Sequence, residues 1–195
     1  MSRKILVIGG RGHIGGAVLA ELVEAGAEVR TSGRRPAPGD FPDGVEVVRG
    51  DLTDPTTFPA LLAGVGKVFL YASAEHAEAF CGEARKAGVG HIVLLSSNSV
   101  LFPDAPANPT AVEHLTVERA LRESGIAWTF VRPGYLATNA FRWRGSIRAE
   151  RTVRTAFPDG STPSSTNATW LRSPCAPCST TPTGAWRTSS WVGPS

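Results

Sequence analysis

Lys4-Ile5-Leu6-Val7-Ile8-Gly9-Gly10-Arg11-Gly12-His13-Ile14-Gly15 decides the fold. Residues 5–8 are all apolar and mostly β-branched, and glycines close the run, which is the pattern of a strand buried on both faces of a parallel sheet. From His13 onward Ile14, Val18, Leu22 and Ala25 recur at helical spacing, and Gly26 stands where a C-terminal cap belongs. Strand, glycine turn and helix in that order form the opening unit of a doubly wound sheet.

The same rhythm continues outward from this unit. Residues 29–32, 45–48, 67–71, 91–95 and 127–131 read as further strands. Between them, Asp54-Pro55 starts a helix with the acid at the N-cap and proline at the first helical position. Residues 75–87 form a helix ended by Gly88, and Thr110 with Glu113 makes a capping box for a helix that runs through Glu123 to Gly125. Strands alternating with helices predict an α/β fold, a doubly wound parallel sheet of the Rossmann type with right-handed crossovers.

Composition narrows the function classes. The 195 residues carry 20 basic and 17 acidic side chains, a formal charge of +3, with no run of Lys or Arg long enough to make a nucleic-acid stripe. No apolar stretch approaches the roughly 18 residues of a membrane span. After Met1-Ser2-Arg3-Lys4 the apolar run lasts only four residues before Gly9, too short for a signal peptide. The expectation is a soluble, cytoplasmic protein with a small-molecule partner and no bound metal.

Gly10-Arg11-Gly12-His13-Ile14-Gly15 matches G-x-G-x-x-G, and Gly9, Gly12 and Gly15 match the looser G-x-x-G-x-x-G spacing. Here the glycines follow a buried strand and open a helix, the context in which the pattern carries chemistry. Without Cβ atoms the backbone approaches a pyrophosphate, whose charge then sits at the helix N-terminus. A site that prefers NAD carries an acid at the end of the second strand. This chain has Thr31-Ser32-Gly33-Arg34-Arg35 there, with Arg11 in the glycine loop. Those guanidinium groups suit a 2′-phosphate, so NADPH is the expected cofactor; the alternative is that Arg34 and Arg35 are solvated loop charges.

These segments resemble the NmrA-like, NAD(P)H-binding branch of the atypical short-chain dehydrogenase/reductases. The resemblance is carried by residues 8–15, Gly50-Asp51-Leu52-Thr53-Asp54, Tyr71-Ala72-Ser73 and Leu95-Ser96-Ser97. It continues through His114, Glu118 and Ser124-Gly125 to Val131-Arg132-Pro133-Gly134 and Asn139, covering residues 4 to about 163. It implies that Asp51 and Leu52 line an adenine pocket, and that Ala72, Ser73 and Ser96 flank the ribose and nicotinamide. On its residue type alone Asp51 is equally a turn residue. Two activities are implied: NADPH-dependent reduction of a quinone-like or azo acceptor, or dinucleotide sensing without turnover.

Where short-chain dehydrogenases carry their Tyr and Lys, this chain has His114 and Glu118. Spacing of four puts both on one helix face. The histidine then serves as acid or base, with Glu118 orienting it and raising its pKa, or the two form a polar pair on a solvated face. Ser96 either bonds a substrate carbonyl or ends a strand. Phe102, Tyr135, Phe141 and Trp143 line an acceptor pocket or fill core. Cys175-Ala176-Pro177-Cys178 matches C-x-x-C but has neither the strand and helix of a redox dithiol nor the second ligand pair of a zinc site.

The chain divides into a domain over residues 1–160 and an irregular tail over 161–195. That tail holds eight Ser, seven Thr, five Pro and three Trp with no Asp or Glu, and neither periodicity survives in it. With assumed GC-rich codons, a shift of frame near Ser165 restores an acidic, amphipathic continuation. The tail is therefore read as an out-of-frame translation without packed secondary structure.

Overall fold

The computed structural model describes residues 4–37, 39–136, 139, 143–151 and 164–165. Six strands, β1 (Lys4–Val7), β2 (Val29–Gly33), β3 (Glu46–Arg49), β4 (Val65–Tyr71), β5 (His91–Leu95) and β6 (Ala127–Val131), make one sheet. Their order is β3-β2-β1-β4-β5-β6 and every pairing is parallel. The chain works outward from β1 to β3, then crosses back to lay β4 on the other side of β1. That reversal opens a crevice at the carboxyl ends of β1 and β4, where ligands bind in sheets of this kind.

Helices α1 (His13–Glu24), α2 (Phe58–Leu62), α3 (Ala77–Lys86) and α4 (Pro109–Glu123) cross between the strands. The larger core lies on one face, where Leu6, Val68, Leu70, Ile92 and Leu94 of the sheet pack with Leu61, Phe80, Val117 and Leu121 of α2, α3 and α4. On the other face Val7 and Val29 pack with Leu19 of α1, joined by Leu22 and Phe41. Leu6, Val7 and Ile8 are buried on both faces, as the uninterrupted apolar run predicts. Gly26, Gly88 and Gly125 end α1, α3 and α4 at φ of +72°, +76° and +75°. An L side chain is strained there, so these glycines stop the helices where the sequence places the stops.

Three local starts differ from expectation. The capping box assigned to Thr110 and Glu113 does not form. Asn108, in extended backbone, accepts from the Thr110 and Ala111 amides at 3.0 and 3.3 Å. Pro109 sets the first helical φ and has no N–H, which moves the helix start ahead of Thr110. Helix α3 begins at Ala77, two residues past the predicted start. Asp54 does cap its segment, accepting from the Thr56 amide, although the first turn is a 3-10 turn (Pro55–Thr57) before α2.

Arg30 is a buried cation that periodicity gives no reason to expect. Its guanidinium donates to the carbonyls of Ala60, Leu61 and Ala63 at 3.2, 2.8 and 2.8 Å and to Glu46 at 2.9 Å. It satisfies the orphan carbonyls at the end of α2 and ties that helix under β2 and β3.

Beyond β6 the structure describes β7 (Tyr135–Leu136), α5 (Arg144–Glu150) and β8 (Ser164–Ser165). Strand β8 pairs in parallel with β7, so two residues of the tail have regular backbone pairing where none is expected. The rest of residues 161–195, including Cys175 and Cys178, and also Phe141, lie outside the described residues. The remaining cysteine, Cys81, is buried in the larger core, where burial and the nearby Glu78 push its thiol up to about 11. Such a thiol is an unreactive core residue at neutral pH. Among the described residues no helix is long and apolar enough to cross a membrane, and no cluster of His, Cys, Asp or Glu could hold a metal.

Candidate functional site

The glycine loop lies at the crevice, and each of its glycines is required for a different reason. Gly9 follows Ile8 with φ of +75°, and its carbonyl accepts from the Gly12 amide at 2.8 Å. A Cβ on Gly15 would lie 2.3 Å from the Gly9 carbonyl oxygen, so helix and loop meet backbone to backbone. A Cβ on Gly10 would lie 2.4 Å from the Thr31 hydroxyl, which donates to the Val7 carbonyl at 2.9 Å and laces β2 to β1.

Gly12 is the N-cap of α1. Its backbone is extended, it offers no side-chain oxygen to the first-turn amides, and that turn has no acid. The first helical hydrogen bond runs from the Gly16 amide to the Gly12 carbonyl at 2.7 Å. Amides of the first turn therefore point out of the helix with no side chain from the cap to meet them, which is a cradle for an anionic oxygen. His13 is exposed, Ile14 half-buried and Gly15 buried behind them.

Of the three arginines read as phosphate ligands, Arg11 lies in the glycine loop and reaches the backbone of Arg35 past the end of β2. Arg11 pairs with Asp40, donates to the Arg35 carbonyl at 3.4 Å and lies 5.8 Å above the Phe41 ring. Arg34 and Arg35 are exposed just past β2. Asp51 folds into a turn in which its carboxylate accepts from the Thr53 amide at 3.0 Å and the Thr53 hydroxyl at 2.8 Å. Those two bonds, with the charges of Arg34 and Arg49, hold its pKa below the ordinary value. Asp51 is thus a turn residue whose charge also faces Arg34.

Leu52 belongs to the larger core, and Ala72 packs against it. Ser73 is half-buried after β4. Tyr71, part of a segment that carries the resemblance but given no role by it, is 43% exposed with its ring 3.2 Å from where a Gly9 Cβ would be. Burial and the Asp51 charge raise its pKa, with Arg34 opposing. Its place as the last residue of β4, beside the reversal in strand order, is the signal that would have found it.

Glu118 has a structural partner set. Fully buried on α4, it accepts from the Ser96 hydroxyl at 2.7 Å, from Arg132 at 2.8 and 2.6 Å, and from Arg122 at 2.8 Å. Burial pushes its pKa up, but the bonds from Arg132 and Ser96 and the two arginine charges outweigh it, and the net direction is down. Ser96 is buried and spends its proton on this carboxylate.

His114, one turn earlier, is half-buried, and its Nδ1 has no hydrogen-bond partner among the described residues. The Glu118 charge does raise its pKa, as expected, but the net direction is down. Burial lowers it, and the charges of Glu113 and Glu118 recover only part of the loss. The carboxylate is already claimed by two guanidinium groups, so little of its charge is left for the imidazole. A histidine pKa depressed by folding stabilises the fold above the unfolded value near 6.5 and ceases to do so as pH falls through the folded value. His114→Phe should accordingly flatten the loss of stability between neutral pH and pH about 5, measured by urea denaturation. An unchanged slope would put the histidine titration elsewhere.

A sequence profile of NAD(P)H-binding proteins matches residues 9–167. The chain belongs to this NAD(P)H-binding family. Among its relatives, a (4-alkanoyl-5-oxo-2,5-dihydrofuran-3-yl)methyl phosphate reductase of Streptomyces griseus is 38% identical over 159 residues, 80% of this chain and 56% of the relative. An NAD(P)H azoreductase of Xenophilus azovorans is 35% identical over 153 residues, 74% of this chain and 52% of the relative. The solved structure of an NADPH-dependent quinone oxidoreductase from Escherichia coli, complexed with NADPH, superposes with a TM-score of 0.62 at 26% identity. That match covers 73% of this chain and 53% of the other. The chain spans about half the length of the curated relatives it matches.

The residues present fit a dinucleotide. The uncapped first turn at Gly12 offers donors to a diphosphate, and Gly10 and Gly15 leave no Cβ in the loop beneath it. The end of β2 carries arginines where a carboxylate would reject a 2′-phosphate.

Proposed function

We propose that the chain binds NADPH in this crevice and serves an oxidoreductase that reduces a quinone-like or azo acceptor. The observation that carries the reading is the pairing of an uncapped glycine loop with an acid-free end of β2 that is followed by Arg34 and Arg35 and reached by Arg11. When bound, the nicotinamide supplies a hydride. The first-turn amides of α1 hold the diphosphate, and the arginines hold the 2′-phosphate. Relatives named as azo and quinone reductases support the acceptor class. A regulator that senses the dinucleotide without turnover is the weaker reading, because the matched relatives quoted above carry the names of reductases.

Little acid–base machinery is required of the protein in this reading. A quinone accepts the hydride directly and takes its proton from water. His114, its pKa lowered by burial, lies on the helix that packs against the turns after β5 and is not assigned the proton in this reading. His114→Ala should then lower turnover by less than about tenfold with the cofactor affinity retained. A rate at background with binding intact would make His114 the essential proton donor. Ser96 and Glu118 are proposed to hold the site's walls and not to touch substrate.

The direct test is fluorescence titration with NADPH and NADH beside consumption of NADPH with a panel of quinones and azo dyes. NADPH should bind at least several-fold more tightly, and Arg34→Ala with Arg35→Ala should erase the difference. Equal affinities overturn the NADPH assignment, and binding without turnover favours the sensor.

The segment after about Pro163 is proposed, on its composition, to be an out-of-frame translation. The coding DNA tests it: an acidic, amphipathic continuation should appear in one alternative frame, and its absence from both overturns the idea.

A further inference from the structure

The arginine within the glycine loop already has an anion. Asp40 pairs with the Arg11 guanidinium and also accepts from the Ala37 amide, which closes the turn that carries it. Arg11 also lies within reach of the Arg35 carbonyl, so the pair, although exposed, sits at the end of β2. The next residue, Phe41, is anchored. It belongs to the smaller core with Val7 and Leu19, runs beneath the guanidinium, and lies 3.3 Å from where a Gly10 Cβ would be. Phe41 therefore fixes the position of Asp40 against the glycine loop. Its apolar contacts need no charge, so the loop has a reason to stay folded when Asp40 is neutral.

This placement sets two anions in competition for one cation. A ribose 2′-phosphate arriving at Arg11 meets a carboxylate that is already there, whereas ribose hydroxyls bring no charge and leave the ion pair alone. We propose that Asp40 is a specificity-determining residue, an internal counter-ion on Arg11 that the 2′-phosphate must displace and that lowers the preference for NADPH over NADH. Arg34 is tempered in the same sense by the charge of Asp51, although more weakly, because that carboxylate is bonded into its own turn. The inference rests on the assignment of the crevice to NADPH.

The test is a set of binding titrations with NADPH and with NADH on the wild type, Asp40→Asn, Asp40→Glu, Arg11→Gln and the double variant Asp40→Asn with Arg11→Gln. Asp40→Asn should tighten NADPH by about three- to fivefold, the scale of one exposed ion pair, and leave NADH within about twofold. Asp40→Glu should keep the wild-type ratio, and the gain should vanish in the Arg11→Gln background. Thermal unfolding of each variant within a few degrees of wild type shows that the loop has kept its fold. If the wild type prefers NADPH and Asp40→Asn leaves that preference unchanged, or weakens both dinucleotides alike, the counter-ion role is overturned while the NADPH assignment stands. If the wild type binds the two dinucleotides equally, the NADPH assignment fails and the Asp40 inference fails with it.

Discussion

Glu118→Ala is expected to cost about 3–5 kcal/mol of folding stability, the scale for removing one partner of a buried ion pair. The carboxylate accepts from the end of β5 through Ser96, from the residue after β6 through Arg132, and from its own helix through Arg122. Removing it leaves the Arg132 guanidinium beside the Phe130 ring with no counter-ion and the Ser96 hydroxyl buried with no acceptor. The folded-state pKa of Glu118 lies below the ordinary 4.5, so the native state binds fewer protons than the unfolded chain just below that value. Its contribution is complete above about pH 4.5 and is lost as pH falls through the folded pKa. Glu118→Gln should then be much less stable than wild type at neutral pH, with the gap closing in acid. Urea denaturation across that range checks both. A loss under about 1 kcal/mol at neutral pH would mean that the arginines find other partners or water at little cost.

The strands and glycine caps were legible because each rests on a local constraint. A four-residue apolar run closed by Gly9, or a glycine at φ of +76° after Lys86, is set by burial and backbone sterics that the sequence carries on its face. Helix starts were less legible. Asn108 and Thr110 are both residue types that cap helices, and the fixed φ of Pro109 decides between them. Arg30 was invisible because most of its partners, the carbonyls of Ala60, Leu61 and Ala63, stand some thirty residues away and are backbone groups that every residue has, and nothing local marks Glu46 as the fourth.

At the site, the residues that work through backbone were readable and those that work through tertiary charge were not. Gly9, Gly10 and Gly15 announce themselves because only glycine fits. The spacing of His114 and Glu118 correctly puts both on α4, yet it says nothing of Arg132, which lies fourteen residues on and claims the carboxylate. A pair that resembles a proton relay on a helix wheel is, in three dimensions, a histidine with its pKa lowered by burial beside an ion cluster that braces β5 and β6. Asp40 was missed for the same reason, since nothing in a sequence marks one exposed acid among several as the partner of Arg11.

Gly12→Asp is expected to abolish dinucleotide binding, by at least about a hundredfold, without unfolding the protein. Gly12 has φ of −75° and ψ of 160°, extended backbone that any residue adopts, and a Cβ there would lie 3.2 Å from the Gly9 carbonyl oxygen, a tight but yielding contact. Aspartate is among the best N-cap residues. Its carboxylate would accept from the first-turn amides of α1 and favour the positive end of the helix dipole, worth about 0.5–1 kcal/mol over glycine. Those are the same amides that a diphosphate needs, so the new side chain would occupy the cradle and oppose the ligand's charge together. Thermal unfolding should stay level or rise while affinity disappears. Gly15→Ala makes the contrast. Its Cβ would meet backbone at 2.3 Å, which cannot move without pulling Gly9 out of its turn, so it should lower both affinity and melting temperature. Titration and thermal melts on the two variants separate the causes. Retained affinity in Gly12→Asp would mean that the glycine loop is only a turn between strand and helix, whatever Gly15→Ala does to the melt.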